Sequence, residues 1–155
     1  MKRVVLAIVA ALFCTAPAAG RECALRRAVF EPLEGRGRYE MTVQRTGHSY
    51  AFTYVSKPLR RTTRFIGSFQ NGTGHLILEE DGEGDRQGIS SRAVLFRADL
   101  TTTDPWSRGS IPVAYAYFEG FALAFWDRAR SDAEDDKPGS SPPDGLWRIA
   151  RCRKA

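Results

Sequence analysis

Polar and apolar residues alternate with a period of two along much of the chain between residues 38 and 98. Tyr39, Met41 and Val43 fall on one side, and Arg38, Glu40, Thr42 and Gln44 on the other. That alternation marks a strand with one buried face. Arg45-Thr46-Gly47-His48 reads as a turn. Tyr50, Phe52 and Tyr54 then alternate with Ser49, Ala51 and Thr53. Together the two segments predict an antiparallel hairpin with an aromatic inner face. Ser56-Lys57-Pro58 ends it, because proline has no N–H for the ladder. Leu59-Arg60-Arg61-Thr62 is expected as an exposed basic connection. Thr63, Phe65, Gly67 and Phe69 line a third strand. Asn71-Gly72 signals a turn, and His75–Leu78 returns as a fourth strand with Leu76 and Leu78 on one face and Ile77 on the other. A fifth strand is expected over Ser91–Asp99, with Val94, Phe96 and Ala98 opposing Ala93, Leu95 and Arg97. At the two ends of this region, Val29-Phe30 begins an edge strand and Leu146–Cys152 forms a last strand with Trp147 and Ile149 on one face.

Ile111–Trp126 is the most apolar and aromatic stretch after the N-terminus, and two arrangements satisfy it. Val113–Phe118 and Phe121–Trp126 form two strands around Glu119-Gly120, or Gly120 opens a helix. The helix reading rests on Phe121, Phe125 and Ala129 at i, i+4 and i+8. The fold class that follows is mainly β, a small antiparallel β-barrel or a two-layer sandwich, with or without one helix near 120–132. Trp106 is placed to fold back as a lid. Asp132–Pro143 and the acidic run Glu79–Asp85 read as loops.

The chain opens Met1-Lys2-Arg3, continues through an apolar run to Cys14 and ends the segment in TAPAAG. A short positive start, a brief apolar core and small residues match a secretory signal peptide. The apolar run is about half the roughly 20 residues needed to span a bilayer. Cleavage is expected near residues 18–20, leaving a single periplasmic or secreted domain over 21–155 with no transmembrane anchor. Cys14 leaves with the signal. The remaining cysteines, Cys23 and Cys152, are expected to form a structural disulfide that closes the domain. The net charge of +5 falls to +3 once Lys2 and Arg3 are removed. That balance permits an anionic partner without requiring one.

Catalytic residue types are scarce and unclustered. His48 and His75 sit beside turns with no ligand spacing, so neither a metal nor a cofactor is expected. Ser90, Ser91 and Ser110 lack the context of a serine nucleophile. Asn-Gly-Thr-Gly at 71–74 has no following lysine and precedes a strand, which excludes a phosphate loop; Asn71-Gly72-Thr73 also fits a glycosylation acceptor. Glu119 and Asp99 are the weak catalytic candidates, as the acids of a small hydrolase acting on cell-wall or glycan material, which requires two carboxylates at a set separation. Lys57, Arg60, Arg61 and Arg64, flanked by Tyr54 and Phe65, are the binding candidates for an acidic partner. The export signal argues against nucleic acid. A ring of Tyr50, Phe52, Tyr54, Tyr115 and Tyr117 around an internal cavity is a further possibility, for an apolar ligand. The function expected first is an exported, non-enzymatic binding or inhibitory module engaging an envelope component or a secreted protein. In size, bridge and strand content the chain resembles the small β domains that bacteria export to block host lysozymes.

Overall fold

The computed structural model describes residues 21–70, 74–82, 88–104, 110–131 and 142–154. The strands are β1 (Cys23–Ala24), β2 (Ala28–Pro32), β3 (Tyr39–Thr46), β4 (Ser49–Ser56), β5 (Arg61–Phe69), β6 (Leu76–Glu80), β7 (Ser90–Phe96), β8 (Pro112–Val113), β9 (Tyr115–Glu119) and β10 (Gly145–Cys152). One helix, α1 (Phe121–Ser131), lies between β9 and β10, and a 3-10 turn, Leu25–Arg27, follows β1. Eight strands close into an antiparallel barrel in the order β10-β2-β3-β4-β5-β6-β7-β9. Apart from the short β8 and the β10–β2 seam that closes the ring, neighbours around it are also neighbours in the chain, the up-and-down plan that leaves the barrel no free edge.

Ring closure is the work of β10. It pairs with β9 on one side, Trp147 opposite Ala116, and with β2 on the other, Ile149 opposite Phe30. Val29-Phe30 is therefore not an edge strand but sits between β10 and β3. The barrel alternative of the sequence reading holds, and the sandwich does not. In the Ile111–Trp126 stretch, Gly120 turns the chain at φ +67 and α1 begins.

The register selects one inward set. Phe30 meets Met41, Met41 meets Tyr54, and Val43 meets Phe52; Phe52 in turn meets Phe65. Phe30, Met41, Phe52, Phe65, Leu76, Leu78, Phe118 and Trp147 are almost wholly buried. An eight-stranded barrel leaves an interior that side chains can fill, and here they do. Small residues face large ones where space runs out. A Cβ on Gly67 would stand 2.6 Å from Phe52 Cε2 and 3.0 Å from Leu78 Cδ2.

Two sequence expectations fail for this reason. Tyr115 and Tyr117 do not face a cavity. Ala116 and Phe118 take the inward positions, because Trp147 needs a small partner, and Tyr117 is 42 % exposed. β7 ends at Phe96 rather than Asp99, since the chain reverses there. Arg97 N–H donates to Thr101 O, and Leu100 adopts φ +63. Within β7 the inward residues are Ser91, Ala93 and Leu95, with Val94 and Phe96 half-buried outside.

Both mouths are closed by the chain itself. At one end α1 inserts Phe121 and Phe125 among Tyr54, Phe65, Phe118 and Trp147, with ring centroids 5.0–6.4 Å apart. Asp144 accepts from the Ala122 N–H at 3.1 Å and steadies the first turn of α1. At the other end β1 pairs with β8, and Leu25 lies buried with its N–H on Ile111 O at 2.8 Å. The expected Cys23–Cys152 disulfide is present, with Cα atoms 5.8 Å apart and a sequence separation of 129. It ties this second plug to the closing strand.

Two measurements test this account. Reducing the disulfide should cost at most roughly 4–5 kcal/mol, the chain-entropy value for so long a loop; urea unfolding with and without reductant reads it. Gly67→Ala should cost about 1–3 kcal/mol by overpacking, whereas Gly37→Ala should show only the strain of its positive φ, with no clash. Equal Gly67→Ala and wild-type midpoints would contradict the packing described.

Candidate functional site

The basic residues singled out from the sequence lie at the α1-capped end. Lys57-Pro58-Leu59-Arg60 is the β4–β5 turn, closed by the Arg60 N–H donating to Lys57 O at 3.2 Å. Arg60 follows it in the left-handed region at φ +51, a position that suits glycine. Lys57 and Arg60 project into solvent. Arg61, expected in the connection, opens β5, and Arg64 lies within that strand as expected. Arg61 is half-buried and already engaged, and Arg64 Nε stands 3.1 Å from Asp81 Oδ2. Tyr54 and Phe65 do not flank this set at the surface, because strand alternation turns them into the lumen. The four cations thus divide into an exposed pair on a strained turn and a pair with partners.

The two acids are not brought together. Glu119 ends β9 opposite Arg92, whose Nη1 lies 3.4 Å from Glu119 Oε2. Asp99 follows the opposite end of β7. From Arg92 to Phe96 alone the strand advances about 13 Å, beyond the roughly 5–9.5 Å of a glycosidase pair. Asp99 Oδ1 accepts from the Thr101 hydroxyl at 2.6 Å and the Thr101 N–H at 3.0 Å. The Thr101 hydroxyl first, then its amide, holds the Asp99 carboxyl below its usual range. A general acid needs the opposite shift. Among the described residues, no three His, Cys, Asp or Glu side chains come together as metal ligands.

Under α1, three buried side-chain polar atoms lack a hydrogen-bond partner: Tyr54 OH, Ser56 Oγ and Trp147 Nε1. The Tyr54 ring stacks on Tyr39 at 6.2 Å and meets Trp147 at 6.4 Å. Burial pushes the Tyr54 phenol above its ordinary value; the neighbouring Ser56 hydroxyl pulls it down in part, though its alignment falls short of a full hydrogen bond.

The opposite mouth holds a cleft that the strand pattern did not announce. It has a volume of about 350 Å³ and is lined by Leu25, Arg26, Arg45, Tyr50, Ser110 and Ile111. Arg45 Nε donates to Gly47 O at 3.1 Å, which orients it across the β3–β4 turn. Arg153 stands behind the cleft. Its Nη2 donates to Arg26 O at 3.2 Å and to Val43 O, clamping the 3-10 turn onto β3. Its Nε is buried without a partner.

Pairing differs even within this mouth, where Arg97 holds Glu22 at 3.4 Å but the arginines at the cleft hold no acid among the described residues. Along the barrel wall Arg148 meets Glu31 at 2.6 Å, Arg151 meets Glu40 at 2.8 Å, and Arg64 and Arg92 also hold carboxylates. Arg26, Arg45 and Arg153 have no carboxylate within ion-pair distance among the described residues. Arg26, within the Arg26-Arg27 patch, and Arg153, in the basic tail, are both visible in the sequence. That Arg26 shares a cleft with Arg45, and that Arg153 reaches the backbone of Arg26 and Val43, follows from ring closure and is not visible in the sequence. The Trp106 lid and the Asn71-Gly72-Thr73 turn fall outside the described residues, as does the signal segment.

Tyr54 has a pH signature. Its folded-state pKa is raised, so its contribution to stability is complete below the ordinary phenol value near 10 and is lost as pH rises above it. The urea midpoint should fall above pH 10, and Tyr54→Phe should remove part of that fall. Parallel declines in the two proteins would exclude Tyr54 as its source. No protein-family model, curated protein or solved structure matches this chain, so its function is argued from its own geometry.

Proposed function

We propose that the chain is an exported, non-enzymatic binding module whose partner is an anionic component of the cell envelope. The disulfide suggests an oxidising, extracytoplasmic compartment. This fits an N-terminal signal over 1–20 and a mature domain over 21–155. Among the described residues no helix is long and apolar enough to cross a membrane.

The observation that carries the reading is the filled lumen. Phe52, Phe65, Phe118, Phe121 and Trp147 occupy the space in which a barrel carrier would hold its ligand. Recognition is left to the rim. There the β4–β5 turn offers Lys57 and Arg60 to solvent, with Arg61 and Arg64 behind them on β5. Arg60 adds a second indication. A left-handed non-glycine residue costs of order 1 kcal/mol, and local strain of this kind is found at working surfaces.

The test uses the mature, oxidised protein and co-sedimentation with envelope fractions at graded salt. Lys57→Ser with Arg60→Ser should weaken retention roughly fivefold and flatten its salt dependence. Arg60→Gly should raise the urea midpoint, because the strain is relieved, yet still weaken retention. Unchanged retention in every variant would sink the basic turn as the contact. Capture of one stoichiometric secreted protein, with no polymer retained, would replace the envelope partner with a protein target and favour an inhibitor. Turnover of a glycan that Glu119→Gln abolishes would overturn the non-enzymatic reading.

A further inference from the structure

We infer that the Arg26–Arg45 cleft is a separate small-molecule site, built for a hydroxylated carboxylate of the sugar-acid type. It takes from the proposed function only that the chain binds, and the two can fail independently, because cleft and basic turn lie at opposite mouths.

Charge gives the first half of the argument. Two arginines, Arg26 and Arg45, line the cleft, and Arg153 bonds to the backbone of its Arg26 wall; Arg45 and Arg153 are held by backbone carbonyls rather than acids. Guanidinium has donors and no acceptor. Arg26 and Arg45 therefore face the cleft with donors that only an anion satisfies at full strength. Arg153, through its bonds to Arg26 O and Val43 O, is a positioning residue that adds positive potential from behind. On the barrel wall the same residue type is neutralised at 2.6–3.4 Å by Glu31, Glu40, Asp81 and Glu119. Arg26 and Arg45 have no such acid among the described residues.

Lining and size give the second half. Four polar side chains, Arg26, Arg45, Tyr50 and Ser110, surround two aliphatic ones, Leu25 and Ile111. So little apolar surface does not suit an acyl chain. The hydroxyls of Tyr50 and Ser110 can accept as well as donate, and so can pair with hydroxyl groups on a ligand. A bare phosphate or sulfate carries acceptors and would leave that capacity unused. Leu25 and Ile111 are themselves buried and leave only a slight apolar patch for the C–H face of a ring. The volume of about 350 Å³ lies at the low end of ligand pockets and suits about one or two pyranose rings. The acid would lie between the guanidiniums and the ring hydroxyls toward Tyr50 and Ser110.

Titration calorimetry of the mature oxidised protein tests this, with D-glucuronate, D-glucose and inorganic phosphate at matched ionic strength and a trimeric uronide as a fourth probe. Glucuronate should bind at least about tenfold more tightly than glucose or phosphate. Arg26→Gln and Arg45→Gln should each weaken it about tenfold, the loss of a charge-assisted hydrogen bond. Arg36→Gln makes the same charge change on an exposed loop of the other end and should leave it unaltered. Ser110→Ala, at an exposed position, supplies a milder cleft variant should an arginine variant fold poorly; it should lower the affinity for glucuronate but not for phosphate. Tighter binding of the trimer than of the monosaccharide would identify a polymer end as the source, and the reverse a free sugar acid. Phosphate equal to glucuronate would reduce the cleft to a generic anion patch and overturn the assignment. Glucose equal to glucuronate, no binding at all, or full affinity in Arg45→Gln would overturn it as well. None of these outcomes bears on envelope retention through the Lys57–Arg60 turn, so a failure here is distinguishable from a failure of that reading.

Discussion

The structure depends on the two-sided pairing of β10. Until Gly145–Cys152 lies between β9 and β2, the sheet has two open edges and an uncovered inner face. Once it does, both edges disappear together and the inner face becomes a lumen of fixed width. Residue sizes inside then cease to be free choices. Trp147 fits because Ala116 is opposite, and Phe118 fits because its partner on β10 is Gly145. Phe52 fits because Gly67 leaves no side chain in its way. The aromatic content that makes the chain look like a ligand carrier is consumed in filling its own interior.

Closing the wall leaves two mouths, and the chain treats them differently. At one, Phe121 and Phe125 extend the aromatic core into α1, so the cover is apolar and continuous with the lumen. At the other, Leu25 enters with the buried Cys23, Ile111 and Val113, and this smaller, non-aromatic plug is also held by polar means. The Leu25 N–H donates to Ile111 O, Arg153 bonds to two carbonyls, and the disulfide anchors β1 to β10. A polar closure leaves room beside it that an aromatic closure fills. This is why the cleft is at the disulfide end, and why its walls are arginine, tyrosine and serine.

Strand alternation is a local property, and the sequence shows it well. The faces of Tyr39–Val43, Tyr50–Tyr54, Leu76–Leu78 and Trp147–Ile149 were all legible, and so was the Cys23–Cys152 pair. Closure is not local. Val29-Phe30 reads as an edge because its β10 partner lies more than a hundred residues away. Tyr115 and Tyr117 read as inward because aromatics usually are; the decision belongs to Trp147 across the ladder. The helix-or-hairpin ambiguity at Gly120 has the same origin. Phe121 and Phe125 satisfy either period, and the open barrel mouth gives them a place only on a helix. The basic set was half legible for a related reason. The sequence reading leaves Arg61 in an exposed connection, whereas β5 begins with it, and nothing local shows that Asp81 reaches Arg64.

The cations of this domain differ in whether they have acidic partners. Surface ion pairs such as Arg148–Glu31 and Arg151–Glu40 contribute little energy each, typically under about 1 kcal/mol. They do cancel the field of the wall. Cations without an acid among the described residues remain at the rims, among them Lys57 and Arg60 at one and Arg26, Arg45 and Arg153 at the other. Unpaired like charges in one cleft repel, and a left-handed arginine strains its turn. Both features oppose stability, and neither is needed to close the barrel. A rigid frame sealed by Trp147 and Phe121 can tolerate such local costs at its rim. Unpaired cations at the rim are what the proposed binding role asks of the ends of the barrel, while its filled interior serves stability.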